Sequence, residues 1–221
     1  MSMSLRVVVP PHPLITHWLT VLRDEATPPA LFASAMAELG RWLTYEALRD
    51  WLPHRPVTVQ TPLAPAEGTV VDGTIPLLAV PILRAGLGLW QGAQTVLPTA
   101  RVAHVGLVRD EVSGIARCYL DTLPSSIGPQ VGVLVFDPML ATAGSLIQVL
   151  EKLEALGVGG DRLRVITAIV ASPGLKTLGE RFPQLTIYSA CIDAELDDAF
   201  RIVPGLGDAG DRLFGSQQPQ I

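Results

Sequence analysis

A carboxylate, two hydroxyls and a run of small residues follow one apolar stretch of this chain. The stretch is Val131-Gly132-Val133-Leu134-Val135-Phe136. Asp137 comes next, then Pro138, Met139, Leu140, Ala141, Thr142, Ala143, Gly144 and Ser145. A buried strand here would deliver Asp137 to a sheet edge. The small residues would then turn into a helix N-terminus. Such a turn aims several backbone N–H groups at one point, and the helix dipole adds positive potential there. A phosphate fits that point without any lysine, with Thr142 and Ser145 as extra donors. Asp137 can accept hydrogen bonds from vicinal hydroxyls of the kind a ribose offers. The same composition also suits an ordinary strand–loop–helix joint with Asp137 as a turn residue.

A second candidate is Pro81-Ile82-Leu83-Arg84-Ala85-Gly86-Leu87-Gly88. It too follows a strand-like run and precedes a helical one. Gly86 and Gly88 allow backbone to approach an anion closely. Arg84 reads either as a surface residue or as a phosphate clamp. Arg109 closes the next apolar run, and two arginines at strand ends of one sheet could converge on a polyphosphate. The adjoining Asp110-Glu111 reads as a solvated turn. The last candidate spans Ile202 to Arg212, where three glycines and Pro204 speak against regular structure. Its backbone groups could read the edge of a flat heterocycle, and Asp208 could help place a metal ion. A C-terminal turn is the plainer alternative.

The elements that would position these residues follow from periodicity. Pro76–Pro81, Arg101–Val108, Val131–Phe136, Leu163–Val170 and Leu185–Ala190 read as strands. Leu87–Val96, Ser145–Leu156 and Leu175–Arg181 read as helices between them. Near-continuous apolar strands alternating with helices indicate an α/β fold with a mostly parallel central sheet flanked by helices. In such sheets ligands gather at the carboxyl ends of the strands. Before the sheet, an N-terminal helical segment is expected. Pro13 can open one helix, with Leu14, Trp18, Val21 and Leu22 at helical spacing. A second helix is expected from about Pro29 to Asp50. The runs Val57–Thr61 and Thr69–Val71 read as a small hairpin outside the sheet.

Composition narrows the chemistry. The 221 residues are 48% apolar and 17% charged, with a net charge of −5 and only two lysines, Lys152 and Lys176. That balance suits one globular domain and lacks the basic stripe of a nucleic-acid binder. Phosphate binding would therefore use arginine, backbone amides and a metal ion. No uncharged apolar run reaches about 18 residues, and no signal-peptide pattern opens the chain. No membrane association and a cytoplasmic location are thus expected. Cys118 and Cys191 show no metal or disulfide spacing. His12, His17, His54 and His104 form no recognisable cluster.

Taken together, the segments resemble those of the uracil phosphoribosyltransferases. Asp137-Pro-Met-Leu-Ala-Thr142-x-Gly144-Ser145 is similar to that family's loop for the sugar donor, 5-phospho-α-D-ribose 1-diphosphate. The stretch at 81–88, Pro204-Gly-Leu-Gly-Asp-Ala-Gly-Asp-Arg212, Leu43-Thr44-Tyr45-Glu46-Ala47 and His12-Pro13-Leu14 match further segments, so the likeness runs from about residue 12 to 216. It implies a type I phosphoribosyltransferase fold as one domain over residues 1–221. The β-arm would be residues 53–74 and a flexible tail 217–221. It implies transfer of the phosphoribosyl group to uracil, giving UMP and diphosphate. Arg84, Arg109 and Asp208 would be catalytic, with both arginines facing the diphosphate. Asp137 would bind the ribose hydroxyls, and the loop from Pro138 to Ser145 would hold the donor, its 5′-phosphate on residues 140–145. Ile202, Gly207, Asp208 and Ala209 would read uracil, largely through backbone groups. Cytosine would leave a backbone N–H facing an amino group, costing roughly 1–3 kcal/mol.

The resemblance further implies Mg2+ carried by the donor near Asp208, a homodimer or higher homo-oligomer, and GTP as an effector. An alternative within the same fold is a non-catalytic regulator that binds phosphoribosyl diphosphate or a nucleotide. Three positions depart from the family pattern. Ala143 stands where the family usually has glycine, and costs roughly 1–2 kcal/mol if that position needs positive φ. Val108 stands where tyrosine is frequent, and Glu195-Leu-Asp-Asp198 is unusually acidic.

Overall fold

The computed structural model describes residues 5–109 and 116–215. The expected tail at 217–221 and the Asp110-Glu111 pair lie outside these residues. The chain opens with a short strand, β1 (Arg6–Val8), and continues into helix α1 (Pro13–Arg23). His12 caps α1, its Nδ1 accepting from Leu14 N–H at 3.1 Å. Helix α2 (Pro29–Leu48) follows, and buries Phe32, Ala35, Met36, Leu39, Leu43 and Ala47, a stripe at helical spacing. Strands β2 (His54–Gln60) and β3 (Pro65–Val71) form the expected antiparallel hairpin.

The main sheet then begins with β4 (Leu77–Leu83), and helix α3 (Gly86–Ala93) follows it. Next come β5 (Arg101–Val102), β6 (Val105–Arg109), β7 (Ala116–Asp121), β8 (Gly132–Phe136) and β9 (Met139–Leu140). Helix α4 (Gly144–Ala155), β10 (Leu163–Ala171), helix α5 (Ser172–Arg181) and β11 (Thr186–Asp193) complete the layers. A small hairpin, β12 (Glu195–Leu196) with β13 (Ile202–Val203), leads to helix α6 (Ala209–Phe214).

The strand order is β1-β11-β10-β8-β4-β6-β7. Every pairing is parallel except β6 with β7. Strand β8 alternates between two cores. Leu134 and Phe136 face α1, α2 and α3, whereas Val133 and Val135 face α4 and α5. Burial on both faces explains its unbroken apolar sequence. After β4 the chain builds the sheet toward β6, and after β8 it builds the other way, toward β10. The order therefore reverses between β4 and β8, the place where doubly wound sheets open a ligand crevice.

Several expectations need correction. The run Arg101–Val108 breaks at Ala103-His104, because Thr122 Oγ1 accepts from the His104 N–H at 2.7 Å and draws that residue out of the ladder. Strands β1 and β7 were not expected. Each lies at a sheet edge with no steady alternation, so its pairing comes from the neighbouring strand. The span Ile202 to Arg212 is not wholly irregular. It starts in β13 and ends in α6, whose N-cap is Asp208. No described helix is long and apolar enough to cross a membrane.

Candidate active site

Asp137 leaves β8 half-buried, and its own N–H donates to the Ile166 carbonyl at 3.1 Å. Burial pushes its carboxyl up to about 7, opposed by a hydrogen bond from the Met139 N–H. The loop beyond it is sewn to the next strand. Pro138 O accepts from Ala168 and Ile169 at 3.1 Å each, and β9 pairs with Ile169 and Val170 of β10. Gly174 of α5 supports it from behind, since a β-carbon there would sit 2.3 Å from Ala141 O. The loop is thus fixed by backbone on two sides.

Ala143 enters α4 at φ 64°, ψ 8°, which is the left-handed region. The strain of roughly 1–2 kcal/mol therefore applies. The residue borders the hollow described below, and it is buried in the core cluster with Leu140, Leu146 and Leu178. That burial offsets up to about 0.8 kcal/mol. Ala143 O accepts the first helical bond from Ile147 N–H, which leaves the amides of Gly144, Ser145 and Leu146 without i−4 partners inside the helix. These amides border a hollow of about 80 Å³ lined by Asp137, Met139, Ala141, Thr142, Ala143, Gly144, Ser145 and Leu146. Pro138 and Leu140 shape the loop from outside that hollow.

Arg84 begins the loop after β4, beside the strand that ends at Asp137. Its guanidinium is solvent-exposed and lies 5.5 Å from the centre of the Phe214 ring of α6. Arg109 ends β6, the neighbour of β4, where its backbone is paired with Ala116. The Arg109 side chain lies outside what the structure describes. Val108, exposed, is paired in register with Arg117 of β7.

A larger cleft of about 540 Å³ adjoins the small hollow. The two share Met139 and Ala141. Ile202, Gly207 and Asp208 line the cleft together with Ala199, Phe200, Arg201 and Leu206. Ala209 does not line it, because its side chain faces the core at the start of α6. Asp208 Oδ1 accepts from the Asp211 N–H at 2.9 Å, so one carboxylate oxygen caps α6. Gly205 and Gly207 take φ values of 63° and 76°, which explains both glycines. Arg212 fastens the loop from inside, donating to the carbonyls of Leu206 at 2.8 Å and Asp24 at 2.6 Å.

Sequence reasoning missed Ala199, Phe200 and Arg201 as cleft residues. The missed signal is the acidic stretch before them. Asp197 Oδ1 accepts from Ala199 and Arg201 N–H groups, and its Oδ2 from Arg201 Nε at 2.7 Å. Asp197 thereby builds the turn that presents Phe200. Two other hollows, of about 460 Å³ beside Tyr45 and His54 and about 400 Å³ beside Gly157 and Phe182, carry none of the strand-end residues. Among the described residues no cluster of His, Cys, Asp and Glu could hold a metal ion by itself.

Comparison with known proteins agrees with this arrangement. The family model described as uracil phosphoribosyltransferase matches residues 9–216. A uracil phosphoribosyltransferase of Synechococcus elongatus is 57% identical over 216 residues, covering 98% of this chain and 100% of that protein. A chloroplastic uracil phosphoribosyltransferase of Arabidopsis thaliana is 44% identical, over 98% of this chain and 73% of that one. Among solved structures, the AQ2163 protein from Aquifex aeolicus superposes with a TM-score of 0.84 at 35% identity, covering 94% of this chain and 97% of that one. The sheet is mostly parallel and flanked by helices, the layering expected from the sequence. By its match from residue 9 to 216, the chain belongs to the uracil phosphoribosyltransferase family.

Proposed function

We infer that this chain is an enzyme that moves the phosphoribosyl group of 5-phospho-α-D-ribose 1-diphosphate onto uracil, releasing UMP and diphosphate in pyrimidine salvage. Beyond family membership, the observation that carries the reading is the shared wall of the two hollows. A small one at the start of α4 suits a phosphate, and the adjoining cleft is walled by irregular backbone that suits a heterocycle. Met139 and Ala141 border both. One molecule can therefore span from the 5′-phosphate to the base.

In this reading the amides of Gly144 to Leu146 and the Thr142 and Ser145 hydroxyls hold the 5′-phosphate. Ionised Asp137 accepts from the ribose hydroxyls and fixes the ring. As the C1–O bond lengthens, the ribose gains oxocarbenium character and the diphosphate gains charge. Arg84 and Arg109 sit at adjacent strand ends, where charge-assisted hydrogen bonds would strengthen as that charge grows. Ile202, Gly207, Asp208 and Ala209, through backbone groups, hold uracil so that its nitrogen meets the opposite face of C1. No covalent nucleophile is required.

Magnesium fits this site as an ion that arrives with the donor. With no protein cage among the described residues, Asp137 and Asp208 are the carboxylates beside the two hollows. When bound, it would neutralise diphosphate charge. Labelled uracil incubated with the pure protein, donor and magnesium should yield UMP. Measurable donor binding with no UMP under any tested condition would sink the enzyme reading.

We further propose that residues 1–221 act as one phosphoribosyltransferase domain, cytoplasmic, assembled through the β2–β3 arm into a homodimer or larger homo-oligomer. The arm leaves Val59, Leu63, Val70 and Val71 open, apolar surface that a contact with a second copy would cover. A solution mass of a monomer alone would remove the assembly. GTP as an effector rests on the resemblance only, and initial rates unchanged by GTP would remove it.

A further inference from the structure

We propose that Arg23 and Asp193 form a bracket that sets the position of the base-reading loop, acting on the reaction as positioning residues. Arg23 is the last residue of α1, and Asp193 is the last of β11. Their charges meet at 2.6 Å between Nη2 and Oδ1, with the Asp193 side chain only 6% exposed. Both groups then reach the same glycine of the loop. The Gly205 N–H donates to Asp193 Oδ2 at 3.1 Å, and Arg23 Nη1 donates to the Gly205 carbonyl at 3.4 Å. One ion pair thus holds the peptide groups on both sides of a single α-carbon.

That α-carbon is where the loop turns. Gly205 sits at φ 63°, and a β-carbon there would lie 2.2 Å from Ile202 O. A left-handed glycine has wide conformational freedom, so it holds one setting only if something outside fixes it. Two residues later comes Gly207, and three residues earlier Ile202, both on the 540 Å³ cleft. Small rotations at Gly205 would swing these backbone groups away from the edge of a heterocycle. The bracket touches no lining residue of the donor hollow. Its effect should therefore fall on the base and not on the sugar donor.

The inference rests on the reading that Ile202 and Gly207 face uracil. It separates from a merely structural ion pair through a double variant. A part-buried pair replaced on both sides by apolar residues leaves no orphan charge, and much of the stability is often retained although the Gly205 N–H loses its acceptor. Stability and loop position then part company. The test compares initial-rate kinetics and melting of the full chain with Arg23→Met, Arg23→Met/Asp193→Leu and Gly207→Val. We expect the double variant to stay folded with only the modest drop in melting temperature of an unpaired Gly205 N–H, yet to show a KM for uracil raised about tenfold, as two lost hydrogen bonds on the loop imply. Its KM for the sugar donor should stay within about twofold, and its preference for uracil over cytosine should fall.

Recovery of the parental uracil KM in the double variant would overturn the bracket, as would an equal rise in both KM values. Should the double variant not fold, Asp193→Asn takes its place. A higher ratio of uracil KM to donor KM supports the proposal, and an unchanged ratio overturns it. Gly207→Val, which forces a branched side chain onto left-handed backbone lining the cleft, tells the two failures apart. If it raises uracil KM while the bracket variants do not, only the bracket falls. If neither moves it, the base-site reading falls and takes the bracket with it.

Discussion

Gly86 lies directly against the carbonyl of Phe136, so closely that a β-carbon on Gly86 would sit 2.4 Å from that oxygen. This contact joins the start of the Arg84 loop to the end of the strand that delivers Asp137. A side chain there must push two strand ends apart at the point where the sheet order reverses. Gly86→Ala should cost about 1–3 kcal/mol of stability. It should also lower kcat/KM for the sugar donor by about tenfold to a hundredfold, because a 1 Å misplacement carries that much. Melting curves and initial rates check both. A variant with parental kinetics would show that the contact does not position the site.

Asp137 should impose a pH dependence on stability. Its folded pKa of about 7 lies above the ordinary carboxylate value because burial disfavours the charge. The folded protein then binds more protons than the unfolded chain between about pH 4 and pH 7. Stability from this group is fullest below that window and is lost as pH rises through it. Asp137→Asn removes the loss. The variant should gain about 1–3 kcal/mol over the parent between about pH 4 and 8, allowing for partial solvent access. A stability difference independent of pH would refute the shift.

The same ionisation should control donor use. Only the carboxylate accepts from both ribose hydroxyls. The ratio of parental to Asp137→Asn kcat/KM for the donor should therefore rise about tenfold from about pH 6 to 8, following the ionised fraction. A flat ratio would count against Asp137 as the ribose ligand.

Ala143 should prove less costly than its φ suggests. Glycine would relieve roughly 1–2 kcal/mol of left-handed strain. It would also give up a buried methyl and make the unfolded chain more flexible. These effects oppose each other, so Ala143→Gly should shift stability by less than about 1 kcal/mol and donor KM by less than about threefold. A gain in activity beyond about tenfold would mean that alanine distorts the phosphate loop.

Phe200 combines a left-handed backbone, φ 59°, with a ring that is 60% exposed at the rim of the cleft. Phe200→Gly should raise stability by about 0.5–1 kcal/mol. The same variant should raise uracil KM about threefold through loss of an apolar cover. Higher stability with lower affinity would mark the residue as kept for substrate. Parental KM would assign the strain to the turn alone.

The parallel α/β layering, the hairpin and the strand–loop–helix around Asp137 were legible in the residues themselves. Apolar runs buried on both faces, such as Gly132–Phe136, leave few other structures open. That Gly205 and Gly207 interrupt regular structure was likewise legible, but their positive φ was not, since Gly86, Gly88 and Gly210 are the same residue type without it. Edge strands β1 and β7 were not, because their pairing depends on a neighbour's free edge and not on their own alternation.

The site divides the same way. Sequence alone supplied Asp137, Thr142, Ser145 and the glycines, since short-range geometry decides where a strand end meets a helix start. It left open the sign of φ at Ala143, and it could not show that the Ala209 side chain packs in the core, which leaves only backbone groups of that residue to face a base. Arg23 and Asp193 stand 170 residues apart and bear on Gly205 only once α1 and β11 pack together. Local chemistry fixed which loops could hold a phosphate and a base. Long-range packing alone decided that those loops share a wall, and which charges meet at Gly205.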